Sequence, residues 1–275
     1  MEKLEKLNNR IKELKRVIVA FSGGVDSTFL LKVCLDVLGK ENVLAVTARS
    51  STYPTREFEE AKKLAESLGA NHEIIISEEL EVPGFSDNPP ERCYYCKKEL
   101  FGKLLKMARE RGFNYVLDGS NADDTGDFRP GMKAKDELGV LSPLKEAGLT
   151  KAEIRALSRK MGLPTWNKPS FACLASRFPY GEKITKEKLN RVEKAEDLLN
   201  SLGFVQYRVR SHGDLARIEV SPGEIERFFD KALREKVVAG LKELGFLYVS
   251  LDLAGYRTGS MNEGLREEEK ARWKS

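Results

Sequence analysis

Four short runs rich in β-branched residues alternate with amphipathic stretches along the first 160 residues: RVIVAF (16–21), NVLAVTA (42–48), HEIIIS (72–77, with Asn71 leading) and NYVLDG (114–119). Unbroken apolar runs of this length suit strands covered on both faces, as in parallel sheets. Between them, Thr28–Leu38 carries Leu30, Leu31, Cys34, Val37 and Leu38 on one helical face. A second helix starts at Pro54, a favoured first helical position, and stops at Gly69. A third spans Lys97–Arg111 behind a Cys-x-x-Cys. A fourth opens with Thr150-x-x-Glu153, the spacing of a capping box, and ends near Gly162 and Pro164. This alternation predicts βαβ units in an α/β fold with a doubly wound parallel sheet, whose ligands lie beyond the carboxyl ends of the strands.

The proline-rich stretch 163–183 matches no regular element. After it the texture changes. A helix over Ile184–Leu202, a hairpin running FVQYRVR through SHGD into LARIEV, a helix pair and a last strand, FLYVSLDL, predict a smaller C-terminal α+β unit. The expected boundary lies near residue 180, giving domains of 1–180 and 181–275.

The chain has 275 residues, 41% hydrophobic and 33% charged, and no apolar run approaches the roughly 20 residues of a membrane helix. Its N-terminal MEKLEKLNNRIKELKR is charged and helix-periodic, without an apolar signal core. A cytoplasmic protein is the expectation, with no membrane partner. A formal net charge of +4 tolerates an anionic substrate but lacks the strongly basic character of most nucleic-acid binders. Four cysteines without a signal segment argue against a disulfide framework.

Chemistry concentrates in a few segments. SGGVDS (22–27) follows a strand and opens a helix, where free backbone N–H groups can hold an anion. A Walker loop would carry a lysine for the β- and γ-phosphates. Here Ser22, Ser27 and Thr28 offer hydroxyls and Asp26 a carboxylate, which suits cleavage between the α- and β-phosphates with pyrophosphate leaving. A glycine pair alone would be an ordinary strand-to-helix turn; the whole string resembles the PP-loop ATP pyrophosphatase superfamily. Members of that superfamily adenylate a carboxylate, an amide or a base carbonyl. The resemblance implies an adenine nucleotide alpha hydrolase-like fold and an ATP site lined by Ser22, Gly23, Gly24, Asp26 and Ser27. LDGSNADD (117–124) resembles the superfamily's downstream Gly-[ST]-Asn-x-x-Asp segment. It adds Gly119 to that site and makes Asp118, Asp123, Asp124 and Asp127 candidate Mg²⁺ neighbours.

Cys93 and Cys96 form the Cys-x-x-Cys of NPPERCYYCKKELF, and Cys173 lies in PSFACLASR. By itself the pair fits a redox couple, half a zinc site or part of an iron–sulfur site. His72 and His212, the only histidines, show no ligand spacing to a cysteine. Cys34 reads as a small buried hydrophobe. Three thiolates on a cubane cluster leave one iron open, whereas Cys173 alone could be a nucleophile with its pKa lowered by Arg177.

PPERCYYCKKELF, PSFACLASRFPYGEKIT and GYRTGSMNE (255–263), together with SGGVDS, are similar to the LarE family. These are pyridinium-biscarboxylate mononucleotide sulfurtransferases of nickel-pincer nucleotide biosynthesis. The resemblance implies that a substrate carboxylate is adenylated and that sulfur at the position of Cys173 attacks the acyl-adenylate. Some members surrender the cysteine sulfur. Others carry three cysteines, matching Cys93, Cys96 and Cys173, and bind a [4Fe–4S] cluster whose unique iron holds a transferable sulfide. The cluster type is therefore implied, with ATP and Mg²⁺ as further cofactors and Ser176 and Arg177 beside the acyl intermediate.

Arg208 and Arg210, two apart on a strand and so on one face, read on their own as a solvated sheet face. The resemblance assigns them to the substrate phosphate. Glu196 and Glu219 are candidates to flank such a site and hold a metal. The resemblance also implies a homo-oligomer built from trimers and a carboxylate-bearing nucleotide substrate, and the sequence does not give the sulfide donor. The alternatives are a tRNA thiolase, which would need a zinc knuckle or a basic aromatic extension, an ammonia-using synthetase, which leaves three cysteines unexplained, and a non-catalytic nucleotide-binding protein with a structural metal site.

Overall fold

A computed structural model describes residues 2–124, 130–266 and 268. Strands β1 (Val17–Ala20), β2 (Val43–Arg49), β3 (Asn71–Ile76) and β4 (Tyr115–Leu117) form one parallel sheet in the order β3-β2-β1-β4. Both faces are covered. Val17 and Val19 pack into a core with Phe29, Leu30 and Leu31 of α2 (Val25–Leu38), Leu7 and Ile11 of α1 (Glu2–Leu14), and Ile154 of α7 (Lys151–Lys160). Ile18, between them, points the other way onto Phe101 and Leu104 of α4 (Arg92–Arg111). The period of two in a strand thus sorts one apolar run onto two helical layers, as the unbroken hydrophobic runs predicted. Helix α3 (Thr55–Ser67) returns from β2 to β3, and the short helices α5 (Pro130–Glu137) and α6 (Pro143–Glu146) follow β4.

Strand order reverses between β1 and β4, so the chain segments leaving these two strands open onto one crevice. SGGVDS leaves β1 and DGSNADD leaves β4.

Three boundaries differ from the sequence reading, each for a local reason. Helix α2 starts at Val25 rather than Thr28, because Gly24 (φ −79°, ψ 170°) is extended and serves as its N-cap. Asp26 and Ser27 therefore occupy the first turn. Helix α4 starts at Arg92 rather than Lys97, so the Cys-x-x-Cys lies inside a helix and its two cysteines, three apart, share a face. The hairpin strands β5 (Tyr207–His212) and β6 (Leu215–Val220) run to a two-residue turn, Gly213–Asp214, tighter than the SHGD expected, with Gly213 at φ +60°.

In the C-terminal part, β7 (Tyr248–Leu251) joins β6 in parallel, giving the order β5-β6-β7. Helices α8 (Lys186–Ser201) and α9 (Lys231–Glu243) supply Ala195, Leu199, Val237 and Leu241 to its core. The other member of the expected helix pair, Pro222–Phe229, is a 3-10 helix. The proline-rich stretch holds a 3-10 turn at Leu174–Arg177, and its Leu174, Ala175 and Phe178 pack with Phe85, Ile184, Leu189 and Val192 in a fourth cluster. Cys96 and Cys173 pack against that cluster together. Among the described residues no helix is long and apolar enough to cross a membrane.

The capping box of α7 is present as the sequence predicted: Glu153 N–H donates to the Thr150 hydroxyl, and Thr150 N–H to the Glu153 carboxylate at 2.8 Å. Thr150→Ala should lower global stability by about 1 kcal/mol, read as a shift of the urea midpoint at unchanged slope; no shift would mean that this helix end frays in the native protein.

Candidate active site

Of the loop glycines, Gly23 has φ +62°, and a Cβ there would stand 2.8 Å from Cβ of Ala61 in α3. Only glycine lets the loop turn this tightly against α3. Ser27, in the first turn of α2, closes the loop. Its hydroxyl lies 3.1 Å from that of Ser22 and donates to the Gly24 carbonyl at 3.3 Å. Thr28 belongs elsewhere: it is fully buried and its hydroxyl meets no partner, so it faces the core rather than a phosphate. The α2 N-terminus thus presents backbone donors and two hydroxyls to the crevice, with the positive end of a 14-residue helix behind them.

Gly119, just beyond β4, packs onto this turn. A Cβ there would meet Ser27 N at 3.0 Å and the Asp26 carbonyl carbon at 3.3 Å. Asn121 donates from its side chain to Asp26 Oδ1 at 3.4 Å, and Asp124 Oδ2 accepts the Asn121 N–H at 2.8 Å. Asp118 faces a buried lysine: Lys135 Nζ lies 3.5 Å from Oδ1 and donates to Ser142 Oγ at 2.6 Å, and Ser120 Oγ donates to Asp118 Oδ2 at 2.6 Å. Asp127 lies outside the described residues. Among the described residues no three His, Cys, Asp or Glu side chains converge as one bound metal ion requires.

Two lysines reach the loop from distant segments, and sequence reasoning missed both. Lys151, first residue of α7, pairs with Asp26, and its backbone N–H donates to Asp123 Oδ2 at 2.8 Å. Lys168, from the proline-rich stretch, stands 3.5 Å from the Gly23 carbonyl and pairs with Glu57 and Glu60 of α3, each at 2.8 Å. The only available signal was the capping box, which fixes where α7 begins and so where Lys151 sits.

The cysteine site is joined to the loop through the residues after β2. Tyr53 donates its phenolic O–H to the Ser22 carbonyl at 2.7 Å, and the neighbouring Thr52 carbonyl accepts the N–H of Leu174 at 2.8 Å. Leu174, which follows Cys173, and the loop are therefore tied to consecutive residues just beyond β2. Cys93, on the same face of α4 as Cys96, lies against Gly131 of α5, whose added Cβ would come 3.4 Å from the Cys93 carbonyl. Burial pushes the Cys96 thiol well up, reinforced by Glu79, whose Oε1 lies 3.8 Å from its sulfur, and by Cys173 and Cys93. Cys34 is fully buried in the α2 core and shifted up by burial alone, as its apolar face predicted. The expectation that Arg177 leaves Cys173 with a lowered thiol pKa is corrected: Arg92 and Arg177 pull it down, but burial outweighs them and the net shift is upward.

Arg177 is fully buried. It donates from Nε and Nη2 to the two oxygens of Glu196, both at 2.8 Å, and from Nη1 to the Ala172 and Cys173 carbonyls and the Ser176 hydroxyl. Glu196 also accepts the Val209 N–H at 3.0 Å. Both residues are engaged with each other. Burial pushes Glu196 up, but the charge and hydrogen bonds of Arg177, with help from Arg208, hold it below the usual carboxylate range. Arg210 is bidentate to Glu219 at 3.0 and 2.8 Å and donates to the Ser176 carbonyl at 2.6 Å and Ser260 Oγ at 3.1 Å.

Arg208 is different. Its hydrogen bonds go to the Tyr207 and Ser170 carbonyls, and its guanidinium lies between the rings of Phe171 and Tyr256, 5.2 and 4.9 Å from their centroids. Burial and the neighbouring Arg177 lower its pKa to about 10. The C-terminal segment closes over this region: Ser260 meets Arg210, Met261 meets Arg92, and Asn262 accepts from Tyr180 Oη at 2.9 Å. The motifs scattered through the sequence thus meet in one place.

Two outcomes follow. Gly23→Ala should cost about 1–3 kcal/mol of stability through the clash with Ala61 and abolish ATP binding in a calorimetric titration; wild-type affinity would show that the turn is not the nucleotide cradle. Because the folded pKa of Glu196 is depressed, its contribution is complete above the ordinary value of 4.5 and is lost as pH falls below it. Glu196→Gln should lower stability at neutral pH by about 3–5 kcal/mol, by leaving Arg177 without a counter-ion, and should flatten the acid limb of the stability profile; an unchanged limb would contradict the pairing.

The chain matches the family model described as NAD synthase over residues 2–87. It is 47% identical to an uncharacterized protein of Synechocystis, over 96% of this chain and 98% of that one. It is 44% identical to the pyridinium-3,5-bisthiocarboxylic acid mononucleotide synthase of Lactiplantibacillus plantarum, over 95% and 94%. A tRNA-specific 2-thiouridylase of Thermus thermophilus shares 33% identity over 57% of this chain and 53% of its own. A parallel α/β sheet with the SGGVDS loop at its switch point, and 44% identity over 95% of the chain, place the chain in the pyridinium-3,5-bisthiocarboxylic acid mononucleotide synthase (LarE) family of PP-loop enzymes.

Proposed function

We propose that this protein adenylates a carboxylate of a pyridinium mononucleotide at the SGGVDS loop and replaces the adenylate with sulfur at Cys93, Cys96 and Cys173. The observation that supports the reading is the Thr52–Tyr53 junction, which ties the loop and the residue after Cys173 to adjacent residues.

ATP would seat its β- and γ-phosphates on the backbone donors of the α2 N-terminus and on the hydroxyls of Ser22 and Ser27, with Gly23, Gly24 and Gly119 leaving room for them. Mg²⁺ takes phosphate oxygens first, so a site that is incomplete without nucleotide is the ordinary case, and Asp26, Asp123 and Asp124 are its nearest carboxylates. Lys151 supplies the cation that the loop itself lacks. The carboxylate attacks the α-phosphorus, an acyl-adenylate forms, and pyrophosphate leaves against these donors. Sulfur then takes the place of AMP at the acyl carbon. Ser176 borders that carbon, while Arg177, wholly engaged with Glu196 and the Cys173 loop, positions rather than touches. Arg208, a buried cation without a carboxylate of its own, is the better placed of the two strand arginines for the substrate phosphate, and Arg210 braces Ser176.

Three soft thiol donors, two on one face of α4 and one on the turn that packs against the same cluster as Cys96, support a [4Fe–4S] cluster. When bound, such a group supplies an iron without a protein ligand, at which sulfide is held. Residues 1–180 would carry this chemistry and 181–275 the substrate phosphate. The exposed apolar residues of the C-terminal part, among them Phe229, Leu247, Tyr248 and Leu253, support a homo-oligomer. The charge and the family support a cytoplasmic enzyme with a small nucleotide substrate.

Cys173→Ala should keep carboxylate-dependent pyrophosphate release within about three-fold of wild type and abolish thiocarboxylate formation. Loss of both would show that Cys173 serves the first step and overturn the assignment. Lys151→Met should reduce pyrophosphate release about 100-fold, and an unchanged rate would remove Lys151 from the site.

A further inference from the structure

Two side chains hold the SGGVDS loop by its carbonyls. Tyr53 Oη donates to the Ser22 carbonyl at 2.7 Å, and Lys168 Nζ faces the Gly23 carbonyl at 3.5 Å. A trans peptide is planar, so each carbonyl points opposite to the N–H of the next residue. Drawing the Ser22 and Gly23 carbonyls toward α3 therefore turns the N–H groups of Gly23 and Gly24 away from it. Among the described residues neither of these N–H groups has an acceptor. Ser22 N–H, by contrast, reaches Ser27 Oγ at 3.3 Å, and Thr28 N–H closes the first helical turn onto the Gly24 carbonyl at 3.0 Å. Glycine populates both signs of φ, so this pair of peptides has little orientation of its own. The orientation comes from Tyr53 and Lys168.

Both residues are built to orient. An ammonium carries three N–H donors, and the neighbours of Lys168 Nζ are Glu57 and Glu60, each at 2.8 Å, and the Gly23 carbonyl. Its charge is matched by two carboxylates, of which Glu57 is buried, whereas Lys151 at the same loop pairs with Asp26 alone. Tyr53 has one proton to give, and Ser22 is a nearer acceptor than the Glu57 carbonyl at 3.3 Å. Burial, with Glu57 and Glu60, pushes its phenol up, so it stays a donor. Lys168 also lies five residues before Cys173. Arg155 of α7 donates to the Trp166 and Lys168 carbonyls, both at 2.8 Å, and Arg208 to the Ser170 carbonyl. The seat of this segment thus sets where Nζ stands.

We propose that Tyr53 and Lys168 are positioning residues that aim the Gly23 and Gly24 amides at the β- and γ-phosphates of ATP, and that Lys168 completes this donor pair only when the segment leading to Cys173 is seated. This rests on the nucleotide reading above and adds an order to it: the loop is ready for pyrophosphate to form once the sulfur-bearing segment is in place.

The test titrates full-length protein calorimetrically with Mg²⁺–ATP, inorganic pyrophosphate and AMP. Amides aimed at the β- and γ-phosphates cannot act on AMP. In Tyr53→Phe and Lys168→Met the dissociation constants for ATP and pyrophosphate should therefore rise about ten-fold, while that for AMP stays within about two-fold of wild type. Lys168→Arg keeps the cation and should recover most of the loss. Tyr53→Phe keeps the ring, edge-on to Phe58, and so tests the hydroxyl without disturbing the packing. Arg155→Met touches neither the loop nor a cysteine, yet by loosening the 166–168 segment it should weaken ATP and pyrophosphate with the same selectivity.

Equal weakening of all three ligands in Tyr53→Phe and Lys168→Met would make both residues structural and overturn the proposal. Wild-type affinities in Arg155→Met would overturn the dependence on the segment. The proposal and the reading beneath it fail separately: a wild-type protein that binds neither ATP nor pyrophosphate would overturn the nucleotide reading itself. One that binds both, with affinities that the Tyr53 and Lys168 variants leave unchanged, would overturn only the positioning roles.

Discussion

The ion pair between Arg177 and Glu196 is the contact on which the rest of the active region depends. It joins the Cys173 turn to α8 and, through Val209 N–H, to the strand carrying Arg208 and Arg210. Because both side chains are buried, breaking one side leaves the other charge stranded, which costs far more than the loss of an exposed pair. A hydrophobic replacement could hold the same elements together. What it could not do is hold the Ala172 and Cys173 carbonyls in fixed orientation, as the remaining Arg177 donors do. The sulfur-bearing turn is thus oriented by electrostatics within an otherwise apolar cluster.

Around this anchor the site is assembled from segments distant in sequence. The SGGVDS loop belongs to the end of β1, the two lysines that reach it to α7 and the proline-rich stretch, and its link to the Cys173 turn to the residues after β2. Two of the cysteines start α4, and the cover comes from the C-terminal segment. Sheet topology explains the convergence: the reversal of strand order at β1 and β4 opens a crevice toward which the returning segments are directed.

Much of this was legible beforehand, for identifiable reasons. The apolar runs located all four parallel strands to within two residues at each end, because burial on both faces leaves no polar interruption. The capping box located the start of α7 because it is a local, reciprocal interaction. The α4 boundary was missed because tyrosines and cysteines are indifferent helix formers, and packing, not propensity, carries the helix back to Arg92. The pairing of Arg177 with Glu196, the contact of Arg208 with Ser170 and those of Arg210 with Ser176 and Ser260 were out of reach, since they join residues 19 to 50 apart. The sign of the Cys173 shift was misjudged for a related reason: a cation four residues along is visible in sequence, but the depth of burial that outweighs it is not. Lys151 and Lys168 show the same limit, since only the fold brings them from distant segments to the loop.

The central claim is that the three cysteines hold a transferable sulfur and survive its loss. It is tested most directly by loading the protein anaerobically with iron and ³⁴S-labelled sulfide and allowing one turnover with ATP and the pyridinium biscarboxylate mononucleotide. Product and protein are then weighed by mass spectrometry. The account predicts a thiocarboxylate carrying ³⁴S and a chain of unchanged mass. A product carrying ³²S, with the chain lighter by one hydrogen sulfide, would show that Cys173 itself is consumed and would contradict it.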